Sequence, residues 1–339
     1  MMNAKALQAT IDDLVQPGRG ILAADESAPT IEKRFQAIGA ESNEESRRAY
    51  RSLLLTTPGL GEYISGVILF EETLTQKSDA GTLLPATAWA QKIVPGIKVD
   101  KGTTALALFP GELVTQGLDG LAGRLQTYID QGARFAKWRE VYGITSQIPS
   151  ASGIKANAEM LARYAAVCQS EGLVPIVEPE VLIDGEHSIE RCAEVTEAVL
   201  HAVFHALHRH RVVLEHIVLK PSMVVPGKAQ PTASPAAVAK ATLAVLRRTV
   251  PAAVPSINFL SGGQSPEEAT ANLNALNQAG GPSPWRLSIS YGRALQQPAL
   301  RAWGGKPENV HAAQQALLKR ARLNSLAMSG GYTAEMEAD

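Results

Sequence analysis

The sequence predicts a single (β/α)8 (TIM) barrel. Three observations carry that expectation: eight short apolar segments, helical patterns between them, and a spacing that leaves room for a crossover helix each time. The segments are GILAAD (20–25), ISGVILF (64–70), VPGIKVD (94–100), FAKWREV (135–141), VPIVEPEV (174–181), HIVLKPSM (216–223), SINFLSG (256–262) and RLSISYG (286–292). Most are rich in Val and Ile and bounded by Gly or Pro, the signature of buried strands. Their starts lie between 30 residues apart (64 to 94) and 44 apart (20 to 64). Strands alternating with helices imply parallel pairing with the helices outside, and eight such units suit closure. The rival, an open doubly wound sheet, lacks a GxGxxG turn after the first segment.

The intervening helices carry their own signals. AEMLARYAAVCQSEG (158–172) has apolar positions at helical period and ends in glycine. SPAAVAKATLAVLRRTV (234–250) opens on a serine cap with proline at the first helical position, and SPEEATANLNALNQAGG (265–281) opens the same way. The N-terminal MMNAKALQATIDDLVQ reads as an amphipathic helix. Asp12, Asp13 and the missing apolar core argue against a signal or transit peptide. No composition shift divides the chain, so residues 1–339 are expected to form one domain, with a mobile acidic tail from about 333 to 339.

The totals exclude several classes. With 45% hydrophobic residues, 19% charged residues and a formal net charge of −1, the chain has material for a core. It has no overall footprint for nucleic acid or an anionic membrane, so any anion site is local. No apolar run reaches spanning length. Two cysteines, Cys168 and Cys192, fit a reducing compartment, and a cytoplasmic location is expected. His201 and His205, with His208 and His210 following, have a spacing that could bind zinc, but the segment lies mid-helix without an HExxH glutamate; a solvated helix face is the better reading.

In such a barrel, functional groups come from the C-terminal ends of the strands. Those ends carry Asp25, Lys98, Lys137 and Arg139, Glu178 and Glu180, and Lys220. A single charge at a strand end ordinarily begins a solvated loop. Charges on five of eight ends converge on one rim, which chance does not readily produce. The i, i+2 pairs Lys137/Arg139 and Glu178/Glu180 each point to one face, and that face can be the interior. A lysine at the tip of the sixth segment, with another lysine close by, favours an uncharged amine that attacks a carbonyl and forms a Schiff base. The carboxylates then move protons. A protonated imine is itself an electron sink, so this chemistry needs no metal. LSGG (260–263) and SYGR (290–293) end the last two segments, the usual place for a barrel phosphate site, with backbone N–H groups and Arg293 as donors.

These motifs resemble class I (Schiff-base) fructose-1,6-bisphosphate aldolase. The matching stretches are GILAADES (20–27), GVILFEETL (66–74), GIKVDKG (96–102), TQGLDGL (115–121), FAKWR (135–139), PIVEPE (175–180), LKPSMV (219–224), FLSGGQS (259–265) and SYGRALQ (290–296). The resemblance implies a metal- and cofactor-free lyase of sugar phosphates, commonly a homotetramer. It implies that Lys220 attacks the ketose C2 carbonyl, Glu178 helps dehydrate the carbinolamine and Asp25 is the carboxylate near the C4 hydroxyl during C3–C4 cleavage. Lys137 and Glu180 join the surrounding charge network. It assigns the C1 phosphate to Ser261, Gly262, Gly292 and Arg293, and the C6 phosphate to Ser27, Lys98 and Arg139. Thr30 replaces a further phosphate-binding serine, and Arg34 belongs to the substrate rim. Animal and plant members end in a tyrosine that aids proton exchange; this chain ends in Asp339, and Tyr332 matches an internal tyrosine. The loop ALALFPGEL (105–113) also departs from the more polar animal loop. Two other readings stay open at this point: another Schiff-base barrel of transaldolase type, and a barrel that also serves as a protein-binding scaffold.

Overall fold

The computed structural model describes residues 4–279, 281 and 283–338. The expected domain limits at residues 1 and 339 therefore lie outside the described residues. Among the described residues ten strands form: β1 (Gly20–Ala24), β2 (Ile64–Leu69), β3 (Val94–Lys98), β4 (Thr103–Ala105), β5 (Leu113–Thr115), β6 (Phe135–Tyr142), β7 (Val174–Val181), β8 (Val218–Leu219), β9 (Ser256–Phe259) and β10 (Arg286–Tyr291). Eight of them close a barrel in the order β1-β10-β9-β8-β7-β6-β3-β2, all through parallel pairs. Each of the eight expected segments supplies one barrel strand.

The sixth segment shrinks to two residues. His216 sits in a 3-10 turn at Leu214–His216, and Pro221 has no N–H to give the ladder. Lys220 still donates its N–H to the Val177 carbonyl at 2.8 Å, and Pro221 accepts from Leu260 N–H at 3.1 Å, so the tip stays fastened on both sides. β4 and β5 pair antiparallel as a hairpin, which the strand pattern did not predict. Their turn, within the unusual loop 105–113, holds a fully exposed Leu108.

Alternation along each barrel strand sorts the side chains into two cores. Ile21, Ala23, Ile68, Val94, Phe135, Val174, Ile176 and Val218 form an interior cluster. Trp138, Val177 and Leu219 belong to the larger cluster under the outer helices. The N-terminal helix Ala4–Leu14 places Leu7, Ile11 and Leu14 in the interior cluster, so it closes the floor of the barrel. Above that floor, two residues further along the same strands, stand Asp25, Lys137, Glu178 and Lys220.

The helices follow their caps. Ser234 accepts from Ala237 N–H at 3.3 Å at the start of Pro235–Thr249, and Ser265 accepts from Glu268 N–H at 3.1 Å at the start of Pro266–Ala279. The helix expected at 158–172 begins earlier, at Ala151, because Ser150 caps it. At the C-terminus, Ala334–Glu337 makes a 3-10 turn in which Glu337 pairs with the buried Arg320 at 2.5 Å and accepts from the Tyr332 hydroxyl at 2.9 Å. No described helix is long and apolar enough to cross a membrane.

One close approach limits the interior. A Cβ on Gly96 would lie 2.3 Å from the Phe135 ring. Gly96→Ala is therefore expected to destabilise the fold by about 1–3 kcal/mol through overpacking, read as a lower midpoint in urea or heat. An unchanged midpoint would show that the ring has room to move.

Candidate active site

Four charged side chains from four different strands meet at the mouth. Lys137, Glu178 and Lys220 are each only 3% exposed. The Lys137 ammonium lies 2.6 Å from Asp25 Oδ2 and 3.3 Å from Glu178 Oε2, and Lys220 Nζ lies 3.0 Å from Glu178 Oε1. Two lysine amines and two carboxylates thus alternate as Lys220–Glu178–Lys137–Asp25. Burial of such charges is tolerable only when each has a partner. The contact between Lys137 and Glu178 Oε2 is an ion pair without hydrogen-bond geometry, so that buried oxygen has no hydrogen-bond donor.

The charge states follow from the neighbours. Burial by itself would raise the Asp25 carboxyl, but Lys137 and then Lys220 bring it down to about 2. Burial would lower the Lys137 ammonium, but Asp25 and then Glu178 outweigh burial and raise its pKa above the ordinary lysine value. At neutral pH the site therefore holds an ionised Asp25 against a charged Lys137. The Lys220 amine has a buried carboxylate within proton-transfer distance.

Strand parity explains the placement. Val218 faces the interior cluster, and Lys220, two residues on, faces the same way. Phe135 precedes Lys137 and Arg139 on one face of β6, as Ile176 precedes Glu178 and Glu180 on β7. Registry in the parallel pairs sets Lys98 beside Lys137 and Arg139 beside Glu178. Arg139 and Glu180 form an ion pair, as do Lys98 and Asp100.

The remaining expected residues fall into separate groups. The turn after β9 carries Ser261 and Gly262, and Gly262 and Gly263 have φ of 51° and 90°, backbone that glycine adopts without strain. A Cβ on Gly263 would lie 3.6 Å from the Arg293 guanidinium, and one on Gly292 would lie 3.9 Å from that of Arg34. Ser261, Gly262, Gly292, Arg293 and Arg34 therefore surround one corner, where the helix Arg293–Trp303 begins. Ser27 and Thr30 share a hydroxyl–hydroxyl hydrogen bond of 3.1 Å at the start of the helix Ala28–Gln36. Among the described residues, no hydrogen bond or ion pair joins these two to Lys98 or Arg139.

Several participants escaped the sequence reading. Glu26 pairs with Arg34 and accepts from Gln296 Nε2 at 2.8 Å, fixing the rim arginine from behind. Asp100 pairs with Lys98, yet its buried Oδ2 has no hydrogen-bond partner. Asp100 stands at i+2 from Lys98, the same spacing that marked Lys137/Arg139, so that signal was present; Glu26 and Gln296 carried none. His201, His205 and His208 lie exposed on the outer helix Ile189–Arg209, and His210 reaches Glu159 at 2.6 Å. Among the described residues, no three His, Cys, Asp or Glu side chains group as metal ligands.

Comparison with known proteins places the chain in a family. The profile of the family described as "Fructose-bisphosphate aldolase class-I" matches residues 6–339. The chain is 58% identical over 322 residues to "Fructose-bisphosphate aldolase 4, cytosolic" of Arabidopsis thaliana, covering 95% of this chain and 82% of the relative. It is 54% identical over 333 residues to a "Probable fructose-bisphosphate aldolase class 1" of Xanthomonas campestris, covering 98% and 99%. Among solved structures, fructose-bisphosphate aldolase from Plasmodium falciparum, in a ternary co-crystal with TRAP and a small-molecule inhibitor, superposes with a TM-score of 0.96. That match has 52% identity and covers 98% of this chain and 96% of the other. The chain belongs to the class I fructose-bisphosphate aldolase family.

Proposed function

We propose that Lys220 is the Schiff-base lysine of a reversible cleavage of fructose 1,6-bisphosphate to dihydroxyacetone phosphate and glyceraldehyde 3-phosphate. The observation that carries this reading is the alternating chain Lys220–Glu178–Lys137–Asp25, which puts an amine, a proton-transfer group and a second base within one mouth. The Lys220 amine adds to the C2 carbonyl, and Glu178 receives the amine proton and returns one to the carbinolamine hydroxyl, which leaves as water. Asp25, ionised at neutral pH, removes the C4 hydroxyl proton. The C3–C4 bond breaks, its electrons pass into the protonated imine, and the aldehyde departs. Protonation of the resulting enamine at C3 and hydrolysis release the second product and regenerate Lys220. Lys137, charged and held between Asp25 and Glu178, keeps both carboxylates in position and supports negative charge on substrate oxygens. Glu180 orients Arg139.

The two phosphates have separate supports in this reading. The corner of Ser261, Gly262, Gly292 and Arg293, with Arg34 alongside, suits the C1 phosphate: two glycine turns, a helix start and guanidinium groups offer donors without bulk. Lys98 and Arg139, on the adjacent strands β3 and β6, suit the C6 phosphate, with Ser27 and Thr30 supplying hydroxyls. Both cations already hold carboxylates, so substrate phosphate would share or displace Asp100 and Glu180. We further propose that the enzyme works without metal or cofactor, in the cytoplasm and as a homotetramer. Family membership and the cytosolic Arabidopsis relative support that reading.

Borohydride reduction in the presence of dihydroxyacetone phosphate is expected to leave a covalent adduct on the peptide containing Lys220, identified by mass spectrometry. An adduct elsewhere, or none, would remove the assignment. Lys220→Ala is expected to lower kcat by about a thousandfold or more, as loss of a covalent nucleophile does, while the unfolding midpoint stays close to wild type. Arg293→Ala is expected to weaken substrate binding by about 2 kcal/mol, the size of a lost charge-assisted contact, with the change in KM. An unchanged KM would take Arg293 out of the phosphate site. Activity is expected to survive EDTA; its loss on chelation, restored by a divalent ion, would point to a metal-dependent reaction.

A further inference from the structure

Glu140 is fully buried, yet it stands on the wrong face of β6 for the reaction. Lys137 and Arg139 face the barrel interior; Trp138 and Glu140 face outward. Its two oxygens are separately engaged: Oε1 accepts from the Trp138 indole N–H at 2.8 Å, and Oε2 from the backbone N–H of Thr115 at 3.1 Å. Burial pushes this carboxyl up to about 7, against the two hydrogen-bond donors that pull it down. A buried carboxyl is an expensive way to fill space, so the contacts it makes need a consequence.

That consequence lies along the hairpin. Thr115, at the end of β5, is tied to β6 a second time by its hydroxyl, which donates to the Arg139 carbonyl at 2.7 Å. The next residue, Gln116, exchanges backbone hydrogen bonds with the turn after β3: Lys101 N–H donates to Gln116 O at 2.8 Å, and Gln116 N–H to Gly102 O at 2.9 Å. That turn carries Asp100, whose side chain pairs with Lys98 and accepts from Gly102 N–H at 3.3 Å, while Lys98 Nζ also donates to the Asp100 carbonyl at 2.9 Å. Glu140 is thus linked through Thr115 and Gln116 to the turn that sets Lys98, and its own neighbour in sequence is Arg139.

We propose that Glu140 is a positioning residue for the distal, C6 phosphate, acting through Thr115 and the 98–102 turn on Lys98. This rests on the reading of Lys98 and Arg139 as the cations for that phosphate. Glutamine is nearly isosteric but does not match the ionised carboxylate, which accepts from both donors: the glutamine NH2 always faces a donor, either Trp138 or Thr115. Loosening the strap leaves the lysine–carboxylate quartet and the C1 phosphate corner untouched. The effect falls on the half of the substrate that Lys98 meets.

The test compares two substrates, fructose 1,6-bisphosphate and fructose 1-phosphate, which lacks the distal phosphate. Glu140→Gln is expected to raise KM for the bisphosphate by about fivefold to tenfold while KM for the monophosphate and both kcat values stay within about twofold. Thr115→Val, which removes the other tether and leaves Glu140 in place, is expected to shift KM in the same selective way and serves if Glu140→Gln folds poorly. Lys98→Ala, measured alongside, tests the underlying phosphate reading. If Lys98→Ala affects both substrates equally, that reading fails and this inference fails with it. If Lys98→Ala discriminates between the substrates while folded Glu140→Gln and Thr115→Val do not, the positioning role of Glu140 alone is overturned.

Discussion

Two lysines and two carboxylates share the mouth of a barrel whose floor is closed, and no one of them can be buried alone. Each ion brought out of water carries a desolvation penalty of several kcal/mol, offset only by close opposite charge and hydrogen bonds. The alternating order Lys220–Glu178–Lys137–Asp25 meets that requirement, since every inner member touches two of opposite sign. The arrangement keeps Asp25 ionised and Lys137 charged while placing the Lys220 amine against a carboxylate, so one electrostatic solution serves both stability and proton movement.

That solution depends on what lies beneath it. Leu7, Ile11 and Leu14 of the N-terminal helix close the barrel floor against Phe135, Val174, Ile176 and Val218. The same alternation that turns Val218 inward turns Lys220 inward. Glu26 and Gln296 brace Arg34 from outside the interior, and Asp100 braces Lys98, so the rim cations are held in place. Such preorganisation is where an enzyme of this kind gains most of its electrostatic advantage.

Much of this was legible along the chain because strand alternation is a local property. FAKWR and VEPE show their inward charges by i, i+2 spacing alone, and the eight segments each became a barrel strand. The misses have physical causes. The sixth strand contracted to Val218–Leu219 because Pro221 cannot extend the ladder. The β4–β5 hairpin was hidden because its three-residue strands lie outside the barrel and β4 is fully exposed, so no buried apolar run marks it. Glu26 and Gln296 are 270 residues apart, and nothing in either local stretch announces the other.

The sequence by itself determined which side chains share a strand face and that an amine, two carboxylates and a second lysine stand at strand ends. It did so because the period of a strand is two residues and needs no distant partner. Only the tertiary structure decided who pairs with whom. Residues 25, 137, 178 and 220 become neighbours when the sheet closes on itself, and closure alone sets Lys137 between Asp25 and Glu178 and brings Lys220 to the other oxygen of Glu178. It likewise gave Glu140, a charge on the outward face with no motif around it, the backbone of Thr115 to hold.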